Sequence, residues 1–202
     1  MKKVWLIITL SFCVLFPSIH MAASEAKWVI TAEKQLKEKN LWVAFRKDLS
    51  LKKVPKKALV QIAVDSKYWL WINGEMVVFE GGLKRGPNPN DTYYDELDLA
   101  PYLQKGDNQV ALLLWYFGKE GFSHKNSGQG GLIMRSSDID LNTNDSWVAK
   151  VHPAFLDSGE PFPNFRLPES NILFDANKDM PDWQVGDYSS YGFMSVKEIG
   201  NW

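Results

Sequence analysis

The chain has 202 residues, 45% hydrophobic and 23% charged, enough apolar material for one sizeable core and too short for a large multi-domain machine. Its formal charge is −1, from 23 Lys+Arg against 24 Asp+Glu, so no basic field draws in nucleic acid or anionic lipid. Nine Trp, seven Tyr and eleven Phe are the compositional outlier, a content that suits a β-rich fold.

Lys2 and Lys3 precede the apolar run Val4 to Phe16, and the small residues Ala22, Ala23, Ser24 and Ala26 follow. This is the pattern of a secretory signal peptide over residues 1–24, which predicts a periplasmic or secreted protein. The run is shorter than the roughly 20 apolar residues of a membrane-spanning helix, so no membrane partner is expected after cleavage. Cys13 lies inside the apolar run rather than at its end, which speaks against lipid attachment, and it is the only cysteine. The exported part therefore holds together without disulfides or thiol chemistry.

Thr31 to Lys39 is the only stretch with helical flavour. From Trp42 the period is two: Val43, Phe45, Leu49 and Leu51 alternate with Ala44, Arg46, Asp48 and Ser50, a half-buried strand. Val60, Ile62 and Val64 repeat the pattern after Pro55. Next, Tyr68, Leu70 and Ile72 share one face and Lys67, Trp69 and Trp71 the other, and Asn73-Gly74 leads into Met76 to Phe79. Asn-Gly between two such runs signals a hairpin, because both residues tolerate the positive φ of a type I′ turn.

Gly81 to Asp91 reads as a long loop, and Tyr93 to Leu99 as extended. Gly106-Asp107-Asn108 then turns the chain into Val110 to Phe117, apolar on both faces as in a central strand. A glycine-rich loop from Gly118 to Gly131 precedes short strands at Leu132 to Met134, Ile139 to Leu141 and Trp147 to Val151. Short strands without helices between them predict an all-β fold, an antiparallel jelly-roll β-sandwich over 25–160. Residues 161–202 read as a Pro-rich and irregular extension, with Pro161 to Pro168 lying over the surface.

Glycosidic hydrolysis needs two placed carboxylates, and Asp95, Glu96 and Asp98 are the nearest cluster. Alternation along a strand points Asp95 away from the other two, so no catalytic residue is assigned. Asp138, Asp140, Asn142 and Asn144 have the spacing that opens a calcium loop, but Thr143 stands where Gly is required and Ala149 where Glu is. His20 belongs to the leader, and His124 and His152 lack metal-ligand spacing, so neither a metal nor a cofactor is expected. The remaining candidates are aromatic. Trp69 and Trp71 stand about 7 Å apart on one strand face, a spacing suited to stacking on a sugar chain or to a second buried face. Trp115, beside the glycine-rich loop that carries Phe122, His124 and Lys125, marks the other candidate carbohydrate contact, with core packing as the competing role.

Phe45-Arg46-Lys47, Val64-Asp65-Ser66-Lys67-Tyr68-Trp69-Leu70-Trp71-Ile72-Asn73-Gly74 and Tyr94-Asp95-Glu96-Leu97-Asp98-Leu99, with Gly106-Asp107-Asn108, together resemble the N-terminal β-sandwich region of bacterial α-L-rhamnosidases, glycoside hydrolase family 78. Trp115-Tyr116-Phe117-Gly118 and Gly121-Phe122-Ser123-His124-Lys125 look like the same group from Bacteroides-type polysaccharide degraders. The resemblance implies a galactose-binding-like sandwich and a catalytic (α/α)6 toroid further along such enzymes. Twelve helices of about 11 residues have no counterpart in this sequence. The expectation is a non-catalytic, carbohydrate-binding or structural front domain of a rhamnosidase, truncated before its catalytic domain. Its partners are then a rhamnose-containing glycan or the missing catalytic domain. A self-sufficient secreted carbohydrate-binding module is the alternative.

Overall fold

The structure is a computed structural model that describes residues 25–33, 38–83, 93–121, 124–128, 130–159 and 169–201. The leader, residues 34–37 of the Thr31–Lys39 stretch, residues 84–91 of the Gly81–Asp91 stretch, Phe122 and Pro161 to Pro168 lie outside the described residues. No helix among the described residues is long and apolar enough to cross a membrane.

Two antiparallel sheets face each other, the sandwich that period-two patterning predicts. One sheet contains β1 (Lys27–Ile30), β3 (Leu59–Asp65), β6 (Asp95–Asp98), β8 (Gly131–Arg135) and β13 (Lys197–Asn201), in the order β13-β1-β8-β3-β6. The other contains β2 (Leu41–Leu51), β4 (Lys67–Ile72), β5 (Glu75–Gly82), β7 (Gly106–Tyr116), β9 (Val148–Val151) and β12 (Met194–Ser195), in the order β12-β9-β2-β7-β4-β5. A two-stranded flap pairs β10 (Phe155–Leu156) with β11 (Leu173–Phe174). The spine of the larger sheet is the pairing of β2 with β7, unbroken from Leu41↔Tyr116 to Leu51↔Gly106.

Alternation decides what each strand buries. Val43, Phe45, Leu70, Ile72, Leu112 and Leu114 point inward and meet Val60, Ile62, Leu132 and Met134 of the opposite sheet, closed at one side by Trp147. Each such side chain contributes about 1.5–3 kcal/mol on burial. The hairpin at Asn73-Gly74 has the expected left-handed backbone, φ 51° and 84°. Asn73 also ties the hairpin to β7, because its Oδ1 accepts from Gln109 N at 2.9 Å and its Nδ2 donates to Asn108 Oδ1 at 3.0 Å.

Three expectations are corrected. The strand around Phe45 is buried on both faces rather than half-buried, because residues 176–193 form a strap over the outside of the larger sheet. The tail is not irregular throughout. Met194–Ser195 pairs with β9, Val196 enters the core, and Lys197–Asn201 pairs with β1, so one short run serves both sheets. Strands of two and five residues carry too little alternation to be read as strands. Ile139 to Leu141 is a loop, not a strand. Asn142 Oδ1 accepts from Ser136 N at 2.7 Å, and Thr143 Oγ1 accepts from Met134 N at 3.1 Å, so side chains replace a ladder partner there.

The strap makes the outer face of the larger sheet a second core. Trp42, Ala44, Trp69, Ala111, Leu113, Trp115 and Phe117 pack with Met180 and Trp183. Arg46 is fully buried and fastens the strap: Nη1 donates to the Trp183 carbonyl, Nη2 lies 3.3 Å from Asp48 Oδ1, and the guanidinium sits 4.5 Å from the Tyr188 ring centre. At the far end Gly74 meets the strap so closely that a Cβ would stand 2.3 Å from Val185 Cγ1.

Candidate functional site

The glycine-rich loop is pinned to the junction of β3 and β4. Asp65 accepts from Ser66 Oγ at 2.5 Å and from Ser127 N at 2.8 Å, and His124 Nε2 lies 3.5 Å from its Oδ1. Burial pushes the Asp65 carboxyl up, but the hydrogen bonds from His124, Ser66 and Ser127 outweigh it and hold the group below its ordinary value. Tyr116 OH donates to Asn126 Oδ1 at 3.1 Å, and burial together with the Asp65 charge pushes this phenol up to about 12.

These contacts revise the aromatic candidates. Trp69, Trp115 and His124 are 8%, 4% and 2% exposed, which leaves no open ring face for a pyranose. Trp115 stacks on Trp42 with centroids 4.4 Å apart, and Trp69 stacks on the same ring at 5.4 Å. Trp71 is half-buried with its edge against Trp183. Lys125 is exposed, 3.8 Å from Glu120. The structure thus brings Trp69 and Trp115 together as packing and leaves Lys125 apart from them.

The carboxylates singled out in the sequence accept hydrogen bonds within the sandwich, mostly from backbone N–H groups. Asp95 Oδ2 accepts from Gly82 N at 2.9 Å, and Glu96 Oε2 from Gln61 Nε2 at 3.1 Å. Asp98 Oδ1 accepts from Ala58 N and Ala100 N, which lower its pKa. Asp138 Oδ2 accepts from Leu59 N at 2.8 Å. Among the described residues no three His, Cys, Asp or Glu side chains gather as a metal site.

A cleft of about 490 Å³ opens where β2 begins, lined by Glu38, Lys39, Asn40, Leu41, Val151, Phe155, Asp157, Gly159 and Ser170. Its walls are tied to the tryptophan stack. Asn40, at φ 55°, accepts at Oδ1 from Trp115 Nε1 (2.9 Å) and Trp42 Nε1 (3.3 Å). Phe155 lies parallel to Trp42 at 4.0 Å and takes the edge of Phe174 at 5.1 Å. Asp157 Oδ1 accepts from Gly159 N at 2.9 Å, a local turn that fixes the carboxylate. Gly118 packs directly against Lys39, where a Cβ would stand 2.8 Å from Lys39 Cα. Chemically this is an apolar floor with a rim of carboxylate, ammonium and hydroxyl groups. Sequence reading missed it because its residues come from four separate segments. The only local signal is the turn spacing of Asp157 and Gly159 after an aromatic residue.

The two-sheet frame has known counterparts. The GH78 family rhamnosidase of Bacillus sp. GL1 superposes with a TM-score of 0.75 at 25% identity over 87% of this chain and 18% of that one. The chain resembles one region of GH78 rhamnosidases. The α-L-rhamnosidase of Dictyoglumus thermophilum matches at 0.60 and 20% identity, over 87% of this chain and 21% of that enzyme. The Pleurotus ostreatus lectin matches at 0.50 and 22% identity, over 88% and 42%. At those identities the two matches speak to fold alone. No protein-family model and no curated protein matches the chain. The rhamnosidase-like sandwich spans about a fifth of the length of the rhamnosidases it resembles. These enzymes support the resemblance to the family and carry nothing about a Bacteroides origin.

Proposed function

We propose that the chain is a non-catalytic, carbohydrate-binding or structural domain of an exported rhamnosidase-type glycoside hydrolase that acts on rhamnose-containing glycans. The observation that carries this reading is the superposition of 87% of the chain on 18% of the Bacillus sp. GL1 enzyme. Export rests on Lys2, Lys3 and the apolar run after them. A catalytic role has no support from the described carboxylates, because Asp95, Glu96 and Asp98 are engaged in hydrogen bonds within the sandwich. The second reading, a self-sufficient carbohydrate-binding module, is favoured by the fold likeness to a lectin.

Incubation with an aryl α-L-rhamnoside at micromolar protein tests the catalytic part. No release above that of a Glu96→Gln, Asp98→Asn double variant is expected, and turnover lost in that variant would overturn the non-catalytic assignment. Calorimetric titration with rhamnose-containing oligosaccharides tests binding and separates the carbohydrate-binding role from a purely structural one.

A further inference from the structure

We infer that the cleft at the start of β2 is a binding site for a neutral, amphipathic saccharide ring, one that carries no carboxylate of its own. This rests on the carbohydrate-binding reading above and adds a place and a selectivity to it. The cleft volume of about 490 Å³ falls within the range of about 300–1,000 Å³ typical of small-ligand sites. Its composition matches the two-sided character of a pyranose. Phe155 and Val151 supply apolar surface for ring C–H groups, while Asp157, Glu38 and Ser170 line the same space with groups suited to hydroxyls. A hydroxyl donating to a carboxylate makes a short, charge-assisted bond, roughly twice as strong as one between neutral groups.

The site is held in shape by contacts outside the inner core. Phe155 is fixed by Trp42, Asn40 by two indole N–H groups, and Asp157 by Gly159 N. Ser158 Oγ donates to the Asn171 carbonyl at 2.5 Å, joining the two sides of the flap next to Ser170. Walls already ordered lower the cost of immobilisation on binding. Among the described lining residues the carboxylates of Glu38 and Asp157 outnumber the ammonium of Lys39, a balance that disfavours a uronate and tolerates a neutral ring. One sugar ring on this surface binds with an affinity on the order of 1 mM.

Titration of the chain with methyl α-L-rhamnoside and with D-galacturonate, followed by saturation-transfer NMR, tests the proposal. Galacturonate is expected to bind at least fivefold more weakly. Asp157→Asn, which keeps the turn-forming oxygen, is expected to weaken methyl rhamnoside binding at least fivefold and to narrow the gap between the two sugars. Ser170→Trp, which adds a bulky ring to the cleft lining, abolishes binding, and near-UV circular dichroism checks that both variants keep the native fold. Lys125→Ala, in the glycine-rich loop, leaves binding unchanged. Binding that survives both cleft variants, or falls only with Lys125→Ala, overturns this location while the carbohydrate-binding reading stands. No sugar or oligosaccharide binding by the unmodified chain overturns both.

Discussion

The two faces of the larger sheet are built from alternate residues of the same strands, yet they are closed in different ways. The inner face of β2, β4 and β7 is largely aliphatic and is covered by a second sheet, whose strands are themselves held by ladder hydrogen bonds. The outer face is rich in indole rings and is covered by an irregular strap held through Arg46, Met180 and Trp183. The inner face is therefore tied to the global fold. The outer face depends on a cover whose own backbone bonds close local turns, such as Trp183 N to Met180 O and Val185 N to Asp182 O, rather than a ladder, and such segments open at lower free energy than ladder-held strands.

The largest expected effect breaks the inner face. Leu112→Ala is expected to destabilise by about 2–5 kcal/mol, as other buried leucine truncations do. The check is one cooperative denaturation curve shifted as a whole, with near-UV and far-UV signals moving together. A smaller effect separates the two covers. Arg46→Met keeps the buried stem but removes the bond to the Trp183 carbonyl and the contact with Asp48. It is expected to cost about 1.5–3 kcal/mol, the range for hydrogen bonds to a charged group. Native-state hydrogen exchange checks where that loss falls: amides of Val185, Gly186 and Tyr191 are expected to exchange faster, while those in the middle of β7 stay protected.

The smallest effect sharpens the comparison through pH. His152 touches the strap side, with its ring 6.2 Å from Trp183 and Nε2 3.6 Å from Asp179 Oδ1. Burial lowers its pKa below 6.5, with Asp179 opposing in part. The unfolded chain therefore binds this proton first, so the stabilisation is complete above pH 6.5 and declines as pH falls toward the lowered folded value. Asp65, on the loop anchor, is also held below its ordinary 3.8. Its contribution is complete above that value and is lost only as pH falls further, through the folded pKa. Acidification from pH 7 is thus expected to lower the melting temperature first through His152. The check is a melting series between pH 7 and 4.5, where His152→Gln flattens the slope and Asp65→Asn does not.

The inner face was legible from sequence because burial on one side of a strand imposes period two. Tyr68, Leu70 and Ile72 with Asn73-Gly74 state both the strand and its turn. The outer face was half legible. Trp69 and Trp71 announce a second aromatic face, but whether it meets solvent or protein depends on residues over a hundred positions away. Met180 and Trp183 have no period to announce that they will cover it. The cleft was the least legible, since Asn40 and Phe155 become neighbours only through Trp42. His124 shows the opposite failure: in a glycine-rich loop it reads as a candidate carbohydrate contact, whereas it is buried and lies beside Asp65 as part of the loop's anchor.

The pairing of β1 with β13 sets Lys27 directly opposite Asn201. The first and last described strands of the sandwich therefore lie side by side, like a bead hung from a thread by a single knot. A host chain can carry such a unit between two consecutive residues of an exposed loop with little change in the span it must bridge. By the same geometry, a short linker from 201 to 27 permits new ends to be opened at an exposed turn without breaking either sheet.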